Sequence, residues 1–391
     1  MNKRQDFTIL QDPLQTYLDH AASSLTPDCV VDAMVAYYQE YRSNVHRGLY
    51  SWSSQATQSY ERARQIVAGF VGADSQEVVF TSGTTAGINL VAEAYLKHQI
   101  KPNQHILITP LEHHANMIPW QRLAKAHQCT LSYIPLNDDF SIDFESLSDM
   151  VAQHDIALIA MTHASNVIGV SYDIKQVSQL GIPVLVDGTQ MVSHEPVDVT
   201  DLGCAFYAWS AHKMYGPTGI GALYINSKYH QKIQPHFTGG GIVENVSYDT
   251  ATFQPGIHKL EPGTPNISGA IGFAKACDYM TSIGFEKIMA HEQQVWNDLI
   301  DKLKPFNLQT FGPQQHYVYS FTFPSVHAHD VSEILASDQV MIRAGHHCCM
   351  PLMKRLGVGA LARVSLGLYN QSSDIDHLVN ALTKVSKVMQ L

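Results

Sequence analysis

Basic charge is scarce in this chain: 25 lysines and arginines stand against 35 aspartates and glutamates, a formal net charge of -10. Nucleic acid needs a cationic face to displace its counterions, so it is not expected as a partner. Cysteine is scarce as well. The six, Cys29, Cys129, Cys204, Cys277, Cys348 and Cys349, show no paired CxxC spacing. That argues against a disulfide framework, and a reducing compartment would keep most of them as thiols. No apolar run reaches the length of a membrane span, and the opening MNKRQDFTILQDPLQ lacks the apolar stretch of a signal peptide. A cytoplasmic protein without membrane contact is expected. Internal repeats and low-complexity linkers are missing too.

What is present is an ordinary globular composition, 45% hydrophobic and 15% charged, over a length of 391 residues that suffices for two domains. From about residue 60 to 230, helix-like stretches alternate with the short runs EVVF, HILIT, IALIAM, PVLV, FYAW and GALYI. Runs apolar throughout indicate strands covered on both faces, so an α/β fold with a large, mainly parallel sheet is expected. After a turn-rich stretch from Gly239 to Asn266, a helical segment from about Ile267 to Leu303 leads to strands around YVYSFTF, VMIRAG and LARVSLGLY. This is the pattern of a smaller α+β domain. The last helix reads with Ser373 as N-cap and Asp376 three residues on, and Ile375, Leu378, Val379, Leu382 and Val385 form its packing stripe. The expected division is 13–264 for the large domain, with 1–12 and 265–391 forming the smaller one.

In open parallel sheets, ligands bind beyond the carboxyl ends of the strands, so the polar residues after each run are the candidates. TSGTTAGIN, residues 81–89, is either an N-cap turn or a cradle for one phosphate. In VLVDGTQ, Asp187 ends an apolar strand, where it caps a turn or faces a cationic heterocycle. Lys213 sits in WSAHKMYGPTGIG among Trp209, Met214 and Tyr215, a setting that depresses an amine pKa and makes it nucleophilic toward an aldehyde. EHHAN adds His113 and His114, and HASN adds Asn166. A phosphate cradle, a strand-end Asp followed by Gln190, and a Ser-x-His-Lys run together suit pyridoxal phosphate. HHCCMP, residues 346–351, is the remaining reactive run. Four contiguous residues rarely converge on one tetrahedral ion, so no metal is expected there.

Taken in order, TSGTTAGIN, LEHHANMIPWQ, HASNVIG, VDGTQ, SAHKMYGPTGIGALY, EPGTPN, RAGHHCCMP and ARVSLGLYN resemble the class V aminotransferase superfamily. Within it they look like cysteine desulfurases of the SufS and cysteine-sulfinate-desulfinase type. The likeness runs from YLDHAASSLTP and NVHRG to the last helix. It implies a fold-type-I pyridoxal-phosphate enzyme with a seven-stranded-type sheet, working as a homodimer with shared active sites. Lys213 would hold the cofactor, Ser210, His212, Thr84 and Thr85 its phosphate, Asp187 its ring nitrogen and Gln190 its ring hydroxyl. His113 would stack on the ring and move protons, Asn166 would lie near ring and substrate, and Thr264 would reach the neighbouring subunit's phosphate.

The same resemblance implies that Arg363 takes the carboxylate of L-cysteine, with Arg343 contributing at the entrance. Period-two alternation agrees, placing Arg363 and Ser365 opposite Ala362, Val364 and Leu366, with an exposed edge-strand arginine as the alternative. Cys348 would be the nucleophile that takes up sulfur as a persulfide and passes it to a SufE-like acceptor for iron–sulfur or thio-cofactor synthesis. Arg343 and protonated His346 or His347 would raise its thiolate fraction. The chain departs from the family's pattern at Ala86, Thr238 and Cys349, the last raising a persulfide relay or a disulfide. The rival readings are a selenocysteine lyase, a cysteine sulfinate desulfinase or another enzyme of this fold. From a different class, the rival is a catalytically silent cofactor- or metal-binding module.

Overall fold

The computed structural model describes residues 1–313, 315 and 317–389. A two-residue strand, β1 (Thr16–Tyr17), comes first. The large sheet follows with β2 (Val78–Thr81), β3 (His105–Ile108), β4 (Thr130–Tyr133), β5 (Ile156–Thr162), β6 (Val184–Asp187), β7 (Phe206–Ser210) and β8 (Gly221–Ile225). Their spatial order is β2-β8-β7-β6-β5-β3-β4. Only β8 runs antiparallel to its neighbours; the other pairs are parallel.

Each apolar run is thus a strand, and its alternation explains why it is apolar throughout. Along β5, Leu158 and Ala160 enter one core cluster while Ile159 and Met161 enter another; β7 divides Phe206 and Ala208 from Tyr207 and Trp209 in the same way. A sheet covered on both faces has no solvent side for polar residues. TLSY was not expected as a strand. It forms β4 at the sheet edge, where Thr130 and Tyr133 are exposed and no apolar run is needed.

Within the turn-rich stretch, β9 (Val243–Val246) and β10 (Ala251–Phe253) form an antiparallel hairpin. The smaller sheet is antiparallel, in the order β11-β12-β15-β14. Its strands are β11 (Gln309–Phe311), β12 (Val318–Thr322), β14 (Arg343–Gly345) and β15 (Leu361–Ser365), while β13 (Val340–Met341) pairs in parallel with β1. Ala362, Val364 and Leu366 join a third apolar cluster with Phe321 and Leu378. Because β15 lies between β12 and β14, Arg363 is on no edge and is only 2% exposed.

Two sequence expectations are corrected. The segment 267–303 is two helices, Ile267–Ile283 and Phe285–Leu303, broken at Gly284, whose φ of 86° is a backbone conformation that residues with a side chain rarely adopt. The first of them packs on the helices Asp28–Glu40 and Ser51–Phe70. The last helix, Ser372–Val388, is capped by Gln371 rather than Ser373. The Gln371 N–H donates to Asp374 Oδ2 at 2.9 Å, and Asp374 also receives Arg4 at 3.0 Å, so tertiary partners fix the helix start. Among the described residues, no helix is long and apolar enough to cross a membrane.

Candidate active site

The register of the parallel strands aligns their carboxyl ends, with Thr162 opposite Asp187 and Asp187 opposite Ala208. Beside them the strand order reverses between β3 and β5, the place where such sheets open a crevice. A cleft of about 280 Å³ lies there. It gathers Thr84, Thr85, His113, Asn166, Asp187, Gln190, Ser210, His212, Lys213, Arg343, Cys348 and Arg363. Thr264 is not among them; it lines a separate depression of about 670 Å³ with Arg47 and Glu261.

At one end, hydroxyls cluster. Thr84 N–H donates to Ser210 Oγ at 2.7 Å, and Thr84 Oγ1 lies 2.7 Å from Thr189 Oγ1 and 2.8 Å from Ser210 Oγ. The helix Thr84–Leu90 starts without a side-chain cap. Gly83, at φ 146°, brings its backbone so near that a Cβ would meet Ser210 Oγ at 3.2 Å. Hydroxyls clustered at a helix start whose N-cap is a glycine are what an anionic group requires.

Asp187 ends β6 inside the protein, where burial raises its carboxyl pKa, with Lys213 acting in the opposite sense. Its Oδ1 accepts the Thr189 N–H at 3.1 Å, and the side chain faces the cleft. The Lys213 amine donates to Ala21 O at 2.5 Å, an acceptor shared with Gln190 Nε2 at 2.9 Å. Burial, then the Arg363 guanidinium, holds the Lys213 pKa down to about 7. A lowered amine pKa exposes the neutral nucleophile at lower pH. Borohydride trapping of a small aldehyde on Lys213 of the cofactor-free protein should therefore rise with a midpoint near pH 7. A midpoint above about 9 by peptide mass mapping, close to that of a free lysine, would contradict this setting.

His113 Nδ1 accepts the Ala115 N–H at 3.1 Å, and burial, then Lys213, lowers its pKa to about 4. The ring is neutral with its proton on Nε2. His212 is likewise held to about 4 by burial, and its Nδ1 lies 3.2 Å from Ser23 Oγ. Behind His113 stands a residue the sequence reading missed, Glu112, whose carboxyl is pushed up to about 8 by burial. It accepts from Thr109 Oγ1, Asn116 Nδ2 and the Thr162 N–H at 2.6, 2.6 and 2.9 Å. These bonds tie the turn after β3 to the end of β5 and so fix where His113 stands.

The cysteine loop separates its two thiols. Cys348 is exposed, with φ 55° after His347 at φ 49°. The loop is fastened by His114 N–H to Cys348 O at 2.8 Å, Met350 N–H to His114 Nε2 at 3.1 Å and Asn166 Nδ2 to His347 O at 2.9 Å. Cys349 is fully buried; its thiol donates to Asn166 Oδ1 at 3.3 Å and is pushed far above the usual range by burial, then by Glu112. Such a thiol is a poor nucleophile. The proposed cationic role of His347 is also corrected. Buried, with Nε2 on Leu361 O at 3.0 Å, it is held neutral, its pKa lowered to about 3 by burial and Arg363. Among the described residues, no group of three or more His, Cys, Asp or Glu is placed to hold a metal ion.

Opposite the loop, Arg363 Nη2 meets Asp19 Oδ1 at 3.0 Å and Nη1 donates to Asn166 O at 2.8 Å. Its buried Nε has no partner among the described residues. Arg343 Nε bonds the other Asp19 oxygen at 3.0 Å. Asp19 was not singled out in the sequence. The available signal was two arginines expected in one neighbourhood, which need a counter-charge.

An aminotransferase class-V family model matches residues 16–378. A protein named probable cysteine desulfurase from Halalkalibacterium halodurans is 42% identical over 378 residues, covering 95% of this chain and 93% of that one. The apo structure of a cysteine desulfurase from Thermococcus onnurineus matches with a TM-score of 0.94 at 36% identity, over 98% of this chain and 97% of that one. The cysteine desulfurase CsdA from Escherichia coli, solved in an S-sulfonic acid form, matches at 0.92 and 35%, over 98% of both chains.

Proposed function

The chain belongs to the class V aminotransferase family, and from that premise we propose that it is a pyridoxal-phosphate-dependent cysteine desulfurase, converting L-cysteine to L-alanine. One observation carries the reading: an exposed thiol, Cys348, and a depressed amine, Lys213, line the same cleft as a buried guanidinium, Arg363, whose Nε–H is unengaged among the described residues. The residues present fit the cofactor. The cluster of Thr84, Thr189 and Ser210 hydroxyls at a helix start whose N-cap is a glycine suits a phosphate, and the buried Asp187 carboxylate suits a protonated ring nitrogen. Bound there, pyridoxal phosphate supplies an electron sink that acidifies the Cα proton of an amino acid.

The chain's own groups do the rest. Thr84, Thr85, Ser210 and His212 hold the phosphate; Asp187, Gln190, Asn166 and His113 surround the ring. Arg363, with Arg343 toward the mouth, takes the substrate carboxylate. Lys213, its amine pKa lowered to about 7 so that a large fraction is neutral there, would hold the cofactor and remove the Cα proton. The Cys348 thiolate attacks the substrate sulfur, and the carbon–sulfur bond breaks with its electron pair left on carbon. That carbon takes a proton to become the methyl group, the proton held on Lys213 returns to Cα to complete L-alanine, and the sulfur stays on Cys348 as a persulfide.

Because Cys348 lies at the surface, the persulfide is accessible to a SufE-like acceptor, for iron–sulfur or thio-cofactor synthesis, in a cytoplasmic setting that keeps thiols reduced. Thr264, outside its own chain's cleft, is assigned to the partner's phosphate in a homodimer. The division into 13–264 and 1–12 with 265–391 belongs to the same proposal. The test is the stoichiometry of L-alanine and sulfide released from L-cysteine with a thiol reductant. Equal amounts are expected, and cysteine loss without alanine would overturn the reading.

A further inference from the structure

The N-terminal segment 19–24 crosses the cleft as a strap joining the two sheets. Ala21 O receives both Lys213 and Gln190, and Ser24 receives the Tyr215 N–H at 2.6 Å. Its first residue, Asp19, does something different. β14 and β15 set Arg343 directly opposite Arg363, an arrangement in which like charges repel. Asp19 places one carboxylate oxygen on each guanidinium, both at 3.0 Å, and is itself only 9% exposed. Two cations and one anion leave a single positive charge, with the Arg363 Nε–H still free of any partner among the described residues.

We propose that Asp19 is the positioning and charge-setting residue of the substrate-carboxylate site: it holds Arg343 and Arg363 side by side and selects amino acids with one anionic group over those with two. The inference rests on the desulfurase reading for the nature of the ligand. One substrate carboxylate balances the remaining charge. A second anionic group, as on cysteine sulfinate or L-aspartate, meets Asp19 as a like charge in a cleft where screening is weak.

The test is calorimetric binding of L-alanine and L-aspartate to the holoenzyme, two amino acids that differ by one carboxylate. Asp19→Asn keeps the shape and removes the charge, and should shift relative affinity toward L-aspartate by about tenfold, the scale of one weakly screened charge at several ångströms. Arg343→Gln should shift it the opposite way. The ratio of kcat/KM for cysteine sulfinate to that for L-cysteine should follow the same two signs. A merely structural role would move both ligands together, and either that result or equal signs for the two variants would overturn the proposal. If Asp19→Asn fails to fold, Arg343→Gln decides alone, since that side chain is half exposed. A wild type that makes no L-alanine sinks the desulfurase reading. A wild type that makes it, with variants that leave the ratio unmoved, sinks only the role of Asp19.

Discussion

Cys348→Ala is expected to lower L-alanine formation from L-cysteine by roughly 10³-fold or more, the scale on which removal of a covalent nucleophile reads out. The same variant should retain turnover of cysteine sulfinate to within about an order of magnitude. The difference lies in the leaving group. A thiol sulfur must be taken by a thiolate, whereas a sulfinate sulfur departs as an oxide without one. Cys349→Ser should leave both rates near wild type, because the Cys349 thiol is enclosed and serves Asn166 rather than the substrate. Equal losses on the two substrates in Cys348→Ala would remove the thiolate-attack step from the mechanism.

Lys213→Ala is expected to lose the borohydride-reducible bond between cofactor and protein and to lower turnover by at least the ~10²–10⁴-fold attributable to a positioned proton-transfer group. Two roles are lost together: the amine that holds the cofactor and the base at Cα. Added alkylamine should restore part of the proton transfer but none of the covalent attachment, which separates the roles. A variant that keeps a reducible covalent bond to the cofactor and its rate would show that another lysine carries both. The surroundings of Lys213 make that outcome costly, since no other lysine lines the cleft among the described residues.

The sheet was legible because its chemistry is uniform: strands covered twice must be apolar at every position, and Leu158 to Met161 show the two faces being filled in turn. Asp187 and Lys213 were legible for the opposite reason, as ionisable residues at the ends of such runs. The break at Gly284 was harder to see, since apolar spacing continues through it and only the backbone angle interrupts the helix. Glu112 and Asp19 were out of reach for a different reason. Each is defined by partners far along the chain, Thr162 for one and Arg343 and Arg363 for the other, and no local pattern announces a contact of that kind. The Gln371 cap failed similarly, because Arg4 and Asp374 decide it together.

The strap also orders events during synthesis. Asp19 and Arg363 stand 344 positions apart, and β1 pairs with β13 near the other end of the chain. Within this strap Ala21 and Ser24 meet Gln190, Lys213 and Tyr215, whereas β1 and Asp19 must wait for β13, β14 and β15. The large sheet has all its strands by Ile225, but the paired arginines that Asp19 bridges wait for β14 and β15. Closing so long a loop is slow relative to local pairing. A nascent chain stalled before residue 340 accordingly carries Lys213 without the arginines that complete its cleft.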